Sequence, residues 1–233
     1  MNPIFVAIDT PDLDRATKIA IAVRDQAGGV KLGLEFFSAQ GPAGISRIAQ
    51  VGLPIFLDLK LHDIPNTVAK AVAALAPLKP AILTVHAAGG RAMLTAAKAA
   101  APATTKVVAV TVLTSLDDAD LADAGVIAPA SDQVLRLARL ARESGVDGIV
   151  CSGAEVVAAK AAWDEALLVV PGVRTEGNAV GDQKRVVTPR QAVADGASII
   201  VIGRPITQAS DPAAAIREIA ASLPNNEEVR VQA

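Results

Sequence analysis

The sequence predicts a closed barrel of eight parallel strands with helices outside it, the (β/α)8 or TIM-barrel form of the α/β class. Eight short, apolar, β-branched runs recur along the 233 residues, with starts about 28 residues apart. Most of the segments between them place apolar residues at helical spacing. No linker or composition break interrupts this pattern, so we expect a single domain over residues 1–223, followed by a polar, frayed tail at 224–233.

The predicted elements alternate along the chain. The strands are expected at residues 4–9, 30–33, 54–60, 81–86, 106–113, 147–151, 167–170 and 198–202. The helices are expected at residues 12–26, 67–78, 90–101, 131–144, 189–194 and 212–223, and the last two carry proline in their first turn. Strands that alternate with helices indicate a parallel sheet, and eight repeats favour a closed barrel over an open sheet.

Composition excludes several classes of protein. Hydrophobic residues make up 52% of the chain and charged residues 20%, which excludes a disordered chain. The net charge of −2 gives no reason to expect nucleic acid as a partner. No apolar run reaches the roughly 20 residues of a membrane span, so we expect a cytoplasmic protein without a membrane partner. A single cysteine, Cys151, and two histidines, His62 and His86, predict no metal cluster.

Polar and charged residues lie in or just after the predicted strands, at the end where barrels of this class carry their active sites. These residues are Asp9, Lys31, Asp58, Lys60, His62, Asp63, His86, Thr114, Arg174 and Arg204. Because side chains alternate along a strand, Phe56, Asp58 and Lys60 are expected to point into the barrel. An acid and a base there are either a structural ion pair or part of a larger charged site, to which Asp9, Lys31 and Asp63 can contribute.

The last two strands lead into a candidate phosphate site. Gly203 and Arg204 follow the eighth strand and Arg174 follows the seventh, and phosphate sites in such barrels recur at these two loops. The polar segment 172–187 is long for a loop in a compact domain, so it is either functional or an ordinary surface loop.

Several motifs together resemble the orotidine 5′-phosphate decarboxylase family. The resemblance spans nearly the whole chain in the family's order, and its most characteristic part is the segment from Asp58 to Thr67, DLKLHDIPNT. The other motifs are Val6-Ala7-Ile8-Asp9, Lys31-Leu32-Gly33, Thr84-Val85-His86-Ala87, Val112-Leu113-Thr114-Ser115, Pro171-Gly172-Val173-Arg174, Gly181-Asp182-Gln183 and Ile202-Gly203-Arg204-Pro205.

The resemblance implies decarboxylation of orotidine 5′-phosphate to uridine 5′-phosphate, which completes pyrimidine nucleotide synthesis without metal or organic cofactor. Lys60 resembles the family's proton donor. Asp58 resembles the carboxylate placed against the substrate carboxylate, and its alternative role is to hold Lys60 in position. Lys31 and Asp9 resemble residues that bind the ribose and extend the charged network.

The resemblance also implies a homodimer. Asp63 resembles a residue donated across the interface to the neighbouring site, and Ile64 and Thr67 resemble its companions there. Thr114 resembles a contact to the pyrimidine edge, although a strand-end hydroxyl can equally cap the next loop.

A phosphate-binding set completes the implied site. In this chain the residues that resemble the family's phosphate-binding set are Arg174, Gln183, Gly203 and Arg204. Because Gln183 lies in the segment 172–187, the resemblance favours a lid function for that segment. His86 is expected to be a hydrogen-bonded core residue, and His62 is expected to lie either at the interface or behind the residues that contact the substrate.

Two other functions remain open at this stage. One is a sugar-phosphate lyase or synthase on the same barrel, which would depend on a divalent metal. The other is a catalytically silent nucleotide-binding scaffold, which would have no use for a buried proton donor beside two acids.

Overall fold

The computed structural model of the chain describes residues 2–173 and 187–224. Within these ranges eight parallel strands form a closed barrel in sequential order, so the predicted fold class is confirmed. The barrel closes where β1 pairs with β8 as well as with β2. The strands are β1 (Ile4–Ala7), β2 (Gly29–Gly33), β3 (Ile55–Leu61), β4 (Ile82–His86), β5 (Lys106–Val110), β6 (Gly148–Val150), β7 (Leu167–Val170) and β8 (Ile199–Ile202).

Helices lie outside the barrel and connect its strands. In the described part of the chain they are α1 (Leu13–Val23), α2 (Leu34–Ala49), α3 (Pro65–Leu75), α4 (Gly90–Ala100), α5 (Asp118–Asp123), α6 (Ala130–Glu143), α7 (Val156–Ala162), α8 (Pro189–Ala194), α9 (Arg204–Thr207) and α10 (Pro212–Ser222). None of the described helices is long and apolar enough to cross a membrane.

Local signals explain where several helices begin. The Asp12 carboxylate accepts hydrogen bonds from the N–H groups of Asp14 and Arg15, so α1 begins with a side-chain cap. Proline occupies the first turn of α8 and α10, as predicted.

The sequence did not predict α2, α5, α7 or α9. In α2 the helical geometry is interrupted at Gly41, where φ is +57°, and Pro42 follows. This kink breaks the apolar periodicity that identifies a helix, and the other three helices are shorter than the window of about 11 residues over which that periodicity is recognised.

Two apolar clusters hold the barrel together. The larger one lies between the strands and the helices and includes Ile55, Leu57 and Leu59 of β3. The smaller one fills the barrel interior and includes Phe5 and Phe56, whose rings meet edge to face at 6.3 Å between centroids. The interior is therefore packed towards the amino ends of the strands, which leaves the opposite end for a site.

Candidate active site

A cavity of about 680 Å³ opens at the carboxyl ends of the strands, a volume typical of small-molecule sites. Its apolar floor is formed by the inward-facing residues Ala7, Phe56, Val110, Val150, Val169 and Val201. Its polar wall includes Asp9, Lys31, Asp58, Lys60, Thr114, Gly203 and Arg204. The cavity thus combines an apolar surface with charges of both signs.

An irregularity in β3 positions the two central charged residues. Phe56 and Asp58 face the interior as the alternation predicts, but the pairing with β4 shifts register between Leu57 and Leu61. Lys60 lies inside this shift with φ at +50°, in the left-handed region that few residues other than glycine adopt. The bulge was not predicted, and it determines where the Lys60 side chain leaves the strand.

Four charged side chains form a continuous network along β1, β2 and β3. Lys60 Nζ lies 2.8 Å from Asp58 Oδ2, and Lys31 Nζ lies 3.4 Å from the same oxygen. Lys31 Nζ also lies 3.2 Å from Asp9 Oδ1. Two acids therefore alternate with two bases, and each buried charge has an opposite charge beside it.

The electrostatic surroundings keep Asp58 ionised. Burial by itself raises the pKa of its carboxyl group, but the positive charges of Lys31 and Lys60 outweigh that effect. Hydrogen bonds from Lys60 and Thr84 act in the same direction, so the pKa of Asp58 lies below its ordinary value.

The absence of a side chain at Gly33 leaves room for the outer half of this network. A Cβ atom there would lie 3.0 Å from Lys31 Nζ and 3.1 Å from Asp9 Oδ1. The φ of Gly33 is −97°, so the backbone conformation does not call for glycine, but a side chain here would crowd the Lys31–Asp9 pair and shift it by a few tenths of an ångström. This explains a glycine two residues after Lys31 in the motif Lys31-Leu32-Gly33.

Gly203 and Arg204 follow β8, which pairs with β1, so they line the cavity next to Asp9. Among the residues that the structure describes, the atom nearest to a Cβ at Gly203 would be Ala7 Cβ, at 3.5 Å. Glycine is therefore not demanded by the protein's own packing, and its bare backbone leaves space for a ligand that lies against it. Thr114, which follows β5, also lines the cavity.

Comparison with known proteins assigns the family. The model of the orotidine 5′-phosphate decarboxylase / HUMPS family matches residues 2–219. The chain belongs to this family. The orotidine 5′-phosphate decarboxylase of Sphingopyxis alaskensis is 65% identical over 222 residues, which cover 95% of this chain and 99% of that protein. That of Novosphingobium aromaticivorans is 60% identical over the same shares.

Solved structures agree with this decarboxylase family assignment. The crystal structure of orotidine 5′-phosphate decarboxylase from Lactobacillus acidophilus superimposes with a TM-score of 0.81 at 39% identity, over 97% of this chain and 100% of that chain. The decarboxylase hypothesis is therefore favoured over the metal-dependent sugar-phosphate enzyme and over the silent scaffold.

Three residues assigned by the decarboxylase resemblance lie away from the cavity of their own chain. Asp63, Ile64 and Thr67 are exposed in the segment that leads from β3 into α3. The Asp63 carboxylate accepts a hydrogen bond from the N–H of Ile64 at 2.7 Å, and Ile64 is 66% exposed although it is large and apolar. This is the placement that a residue serving a second chain would have.

Two further residues of the implied phosphate set, Arg174 and Gln183, lie outside the described residues. The segment 172–187 is described only at its two ends, where Val173 and Val187 form a parallel bridge. Its predicted function therefore stays a prediction, as does the frayed tail, of which only Pro224 is described.

The two histidines lie next to each other beside the network. The ring of His86, which is partly buried, lies 5.5 Å from that of His62 between centroids. Burial and the nearby positive charges lower the pKa of His86 below its ordinary value. His86 is thus a neutral ring near the site, and neither histidine lines the cavity.

Sequence reasoning assigned no role to Thr84, although the residue stands in one of the motifs of the family resemblance. It is fully buried on β4, its hydroxyl donates to Asp58 Oδ1 at 3.0 Å, and it accepts from the backbone N–H of Lys60 at 2.8 Å. Apart from that motif, the available signal was a threonine at an inward position of a strand, which a β-branched strand former also explains.

Proposed function

We propose that Lys60 is the proton donor in the decarboxylation of orotidine 5′-phosphate to uridine 5′-phosphate, the carboxy-lyase reaction of pyrimidine nucleotide synthesis that this chain catalyses as a member of its family. The observation that carries the proposal is the position of Lys60 Nζ on the cavity wall, 2.8 Å from an ionised Asp58. No other described lysine except Lys31 lines the cavity.

In this mechanism the bond between C6 of the pyrimidine ring and its carboxylate breaks, and CO2 leaves. The electron pair stays on C6, where the Lys60 ammonium group stabilises it electrostatically and then transfers a proton to it. Solvent returns a proton to the Lys60 amine after the product leaves. The step balances without an oxidant, a reductant or a metal ion.

Asp58 has two roles in the proposal. Its carboxylate holds the Lys60 ammonium group in position, and it faces the substrate carboxylate. Lys31 and Asp9, at the outer end of the network, bind the ribose. Thr114, on the opposite wall, contacts the pyrimidine edge.

The phosphate group is bound at the loop after β8, by Gly203 and Arg204, together with Arg174 and Gln183. Arginine suits this role because its planar guanidinium group binds phosphate oxygens in pairs and stays charged. Energy from phosphate binding can then organise the reacting end of the substrate.

The active unit in this proposal is a homodimer in the cytoplasm, with residues 1–223 as one catalytic domain. The support for the dimer is the exposed segment with Asp63, Ile64 and Thr67, which would reach the cavity of a second chain. A two-fold interface would give both sites the same arrangement.

Turnover of orotidine 5′-phosphate tests the proposal. The loss of substrate absorbance and the release of CO2 are followed with the purified chain, with and without a chelator of divalent metals, and with Lys60→Ala. We expect chelator-independent turnover, and a loss in Lys60→Ala of about 10⁴-fold or more, since proton transfer and charge stabilisation both act through this residue.

The control is Lys18→Ala, at an exposed position of α1, which is expected to be as active as the unmodified chain. Turnover that requires added metal would contradict the proposal, and so would a Lys60→Ala variant with nearly full activity. Binding of uridine 5′-phosphate to Lys60→Ala would show that the cavity is intact.

A further inference from the structure

Thr84 is buried directly behind the charged network. It lies on β4, its exposed fraction is 0%, and it is not among the residues that line the cavity. It therefore has no contact with a ligand in the cavity. Its hydroxyl group nevertheless contacts both residues at the centre of the site.

The direction of its two hydrogen bonds is fixed by chemistry. The backbone N–H of Lys60 can only donate, so Thr84 Oγ1 accepts that bond, at 2.8 Å. The single hydroxyl hydrogen then remains for Asp58 Oδ1, at 3.0 Å. An ionised carboxylate is the partner that such a hydrogen favours. One hydroxyl therefore links the backbone of Lys60 to the side chain of Asp58.

The bond to the Lys60 backbone falls at the strained point of β3. Lys60 has φ at +50°, and the regular pairing of β3 with β4 is interrupted there. In such a bulge the extra residue loses its ladder partner. The Thr84 hydroxyl supplies an acceptor where the backbone of β4 does not, and thus holds Lys60 in a conformation that costs free energy.

The bond to Asp58 orients the carboxylate. Thr84 holds Oδ1, while Oδ2 accepts from Lys60 Nζ and lies 3.4 Å from Lys31 Nζ. With one oxygen fixed on each side, the plane of the carboxylate cannot rotate freely. The position of the oxygen that holds the Lys60 ammonium group is thereby fixed as well.

We propose that Thr84 is a positioning residue for catalysis, which holds the bulge at Lys60 and the carboxylate of Asp58 so that the lysine ammonium group lies where the proton is needed. The proposal rests on the proposed role of Lys60 as the proton donor. It assigns to Thr84 an effect on the chemical step and not on substrate binding.

Thr84→Val tests this most sharply, because valine has nearly the shape of threonine and lacks only the hydroxyl group. We expect kcat to fall by about 100-fold, the loss that follows when a catalytic group is displaced by about 1 Å. The affinity for the product uridine 5′-phosphate should change by less than about threefold, since Thr84 does not touch the cavity. Thr84→Ser keeps the hydroxyl and should restore most of kcat.

Thr105→Val is the matched control. Thr105 is also buried, and its hydroxyl donates to the carbonyl of Pro80 at 2.8 Å, just before β5 at the opposite end of the barrel. Loss of this hydroxyl is expected to lower the melting temperature without changing kcat. A purely structural role of Thr84 would produce the same result as this control.

The pH profile provides a second readout. The hydrogen bond from Thr84 helps to hold the pKa of Asp58 down, so its removal raises that pKa. The acid limb of kcat/KM should therefore move to higher pH in Thr84→Val and return in Thr84→Ser. The acid limb of kcat/KM is measured with orotidine 5′-phosphate for the unmodified chain and for both variants.

Equal kcat for the unmodified chain and Thr84→Val would overturn the proposal, and so would a Thr84→Ser variant as slow as Thr84→Val. If Thr84→Val does not fold, Thr84→Ala takes its place in the comparison with Thr84→Ser. An inactive unmodified chain would refute the proposed function, whereas an active chain with an equally active Thr84→Val would refute only the role of Thr84.

Discussion

Asp58 is the residue on which the charged network converges. Its Oδ2 atom lies near both Lys31 and Lys60, and its Oδ1 atom accepts from Thr84. A structural ion pair was the alternative for Asp58 and Lys60, yet both line the cavity and the Lys60 side chain is 29% exposed. Because the Lys60 amine reaches an open cavity, it can act on a ligand there, which favours the catalytic function over a structural ion pair.

Strand alternation predicts that Asp58 and Lys60 share the inner face, because the period of two depends only on local backbone geometry. The bulge at Lys60 could not be predicted, since a positive φ at a lysine is imposed by tertiary contacts such as the bond to Thr84. Thr84 stands in a motif of the resemblance, but strand propensity alone accounts for a β-branched residue there, so its role was not predicted. Arg174 and Gln183 stay predictions that rest on the resemblance.

Arg204 provides a prediction at the residue scale. We expect Arg204→Ala to lower kcat/KM for orotidine 5′-phosphate by about 100-fold, because a hydrogen-bonded charge pair with the phosphate is lost. With orotidine, which has no phosphate, the same variant should match the unmodified chain. Steady-state rates with both substrates provide the measurement.

Arg217→Ala, at an exposed position of α10, serves as the control for the loss of one surface arginine. An equal loss on both substrates would show that Arg204 acts on the fold or on the nucleoside and not on the phosphate.

At the scale of the elements, the alternation of strands and helices was sufficient to predict the barrel. All eight predicted strands overlap observed ones, because apolar β-branched runs are specific when they recur at a constant spacing. Helix α2 was missed because Gly41 and Pro42 interrupt its pattern, although the helix resumes after the kink. Such continuity depends on packing against β2 and β3, which a local pattern does not contain.

Asp147 joins three elements at the amino end of the barrel. Its carboxylate accepts from Lys98 of α4 at 2.5 Å and from Lys106 of β5 at 3.1 Å, and it also accepts from the N–H of Val107 at 2.8 Å. Burial raises the pKa of Asp147, but these three partners outweigh it and hold the pKa below its ordinary value of 3.8.

This shift predicts how stability depends on pH. A carboxyl group with a lowered pKa stabilises the folded state above its unfolded pKa, and that stabilisation is lost as the pH falls through the folded value. We expect Asp147→Asn to lower the free energy of unfolding at pH 7 by about 1–3 kcal/mol. The difference in the free energy of unfolding between Asp147→Asn and the unmodified chain should shrink as the pH falls from about 5 towards 2.

Urea unfolding at several pH values provides the measurement. Asp25→Asn is the control, because Asp25 lies on the surface with 81% of its side chain exposed and only Arg24 beside it in the described ion pairs. A disadvantage of Asp147→Asn that stays constant down to pH 2 would contradict the electrostatic explanation.

At the scale of the whole molecule, barrel closure creates the site from residues far apart in the sequence. Asp9, Lys31, Asp58 and Thr84 come from four consecutive strands that pair side by side, so their carboxyl ends meet at one rim. The sequence order of the strands predicts this convergence once a barrel is assumed. The fold of a single chain leaves Asp63 at the surface, away from the cavity. The proposed dimer therefore cannot be predicted from the barrel alone.

The central claim is that a complete site combines Lys60 of one chain with Asp63 of a second. The most direct measurement is the turnover of orotidine 5′-phosphate by Lys60→Ala and Asp63→Ala, first separately and then as dimers formed by co-expression. We expect each variant alone to be nearly inactive.

The mixture should recover roughly a quarter of the unmodified activity, since half of the dimers are mixed and each of these has one intact site. A mixture no more active than its separate components, or an Asp63→Ala variant with full activity, would contradict the claim.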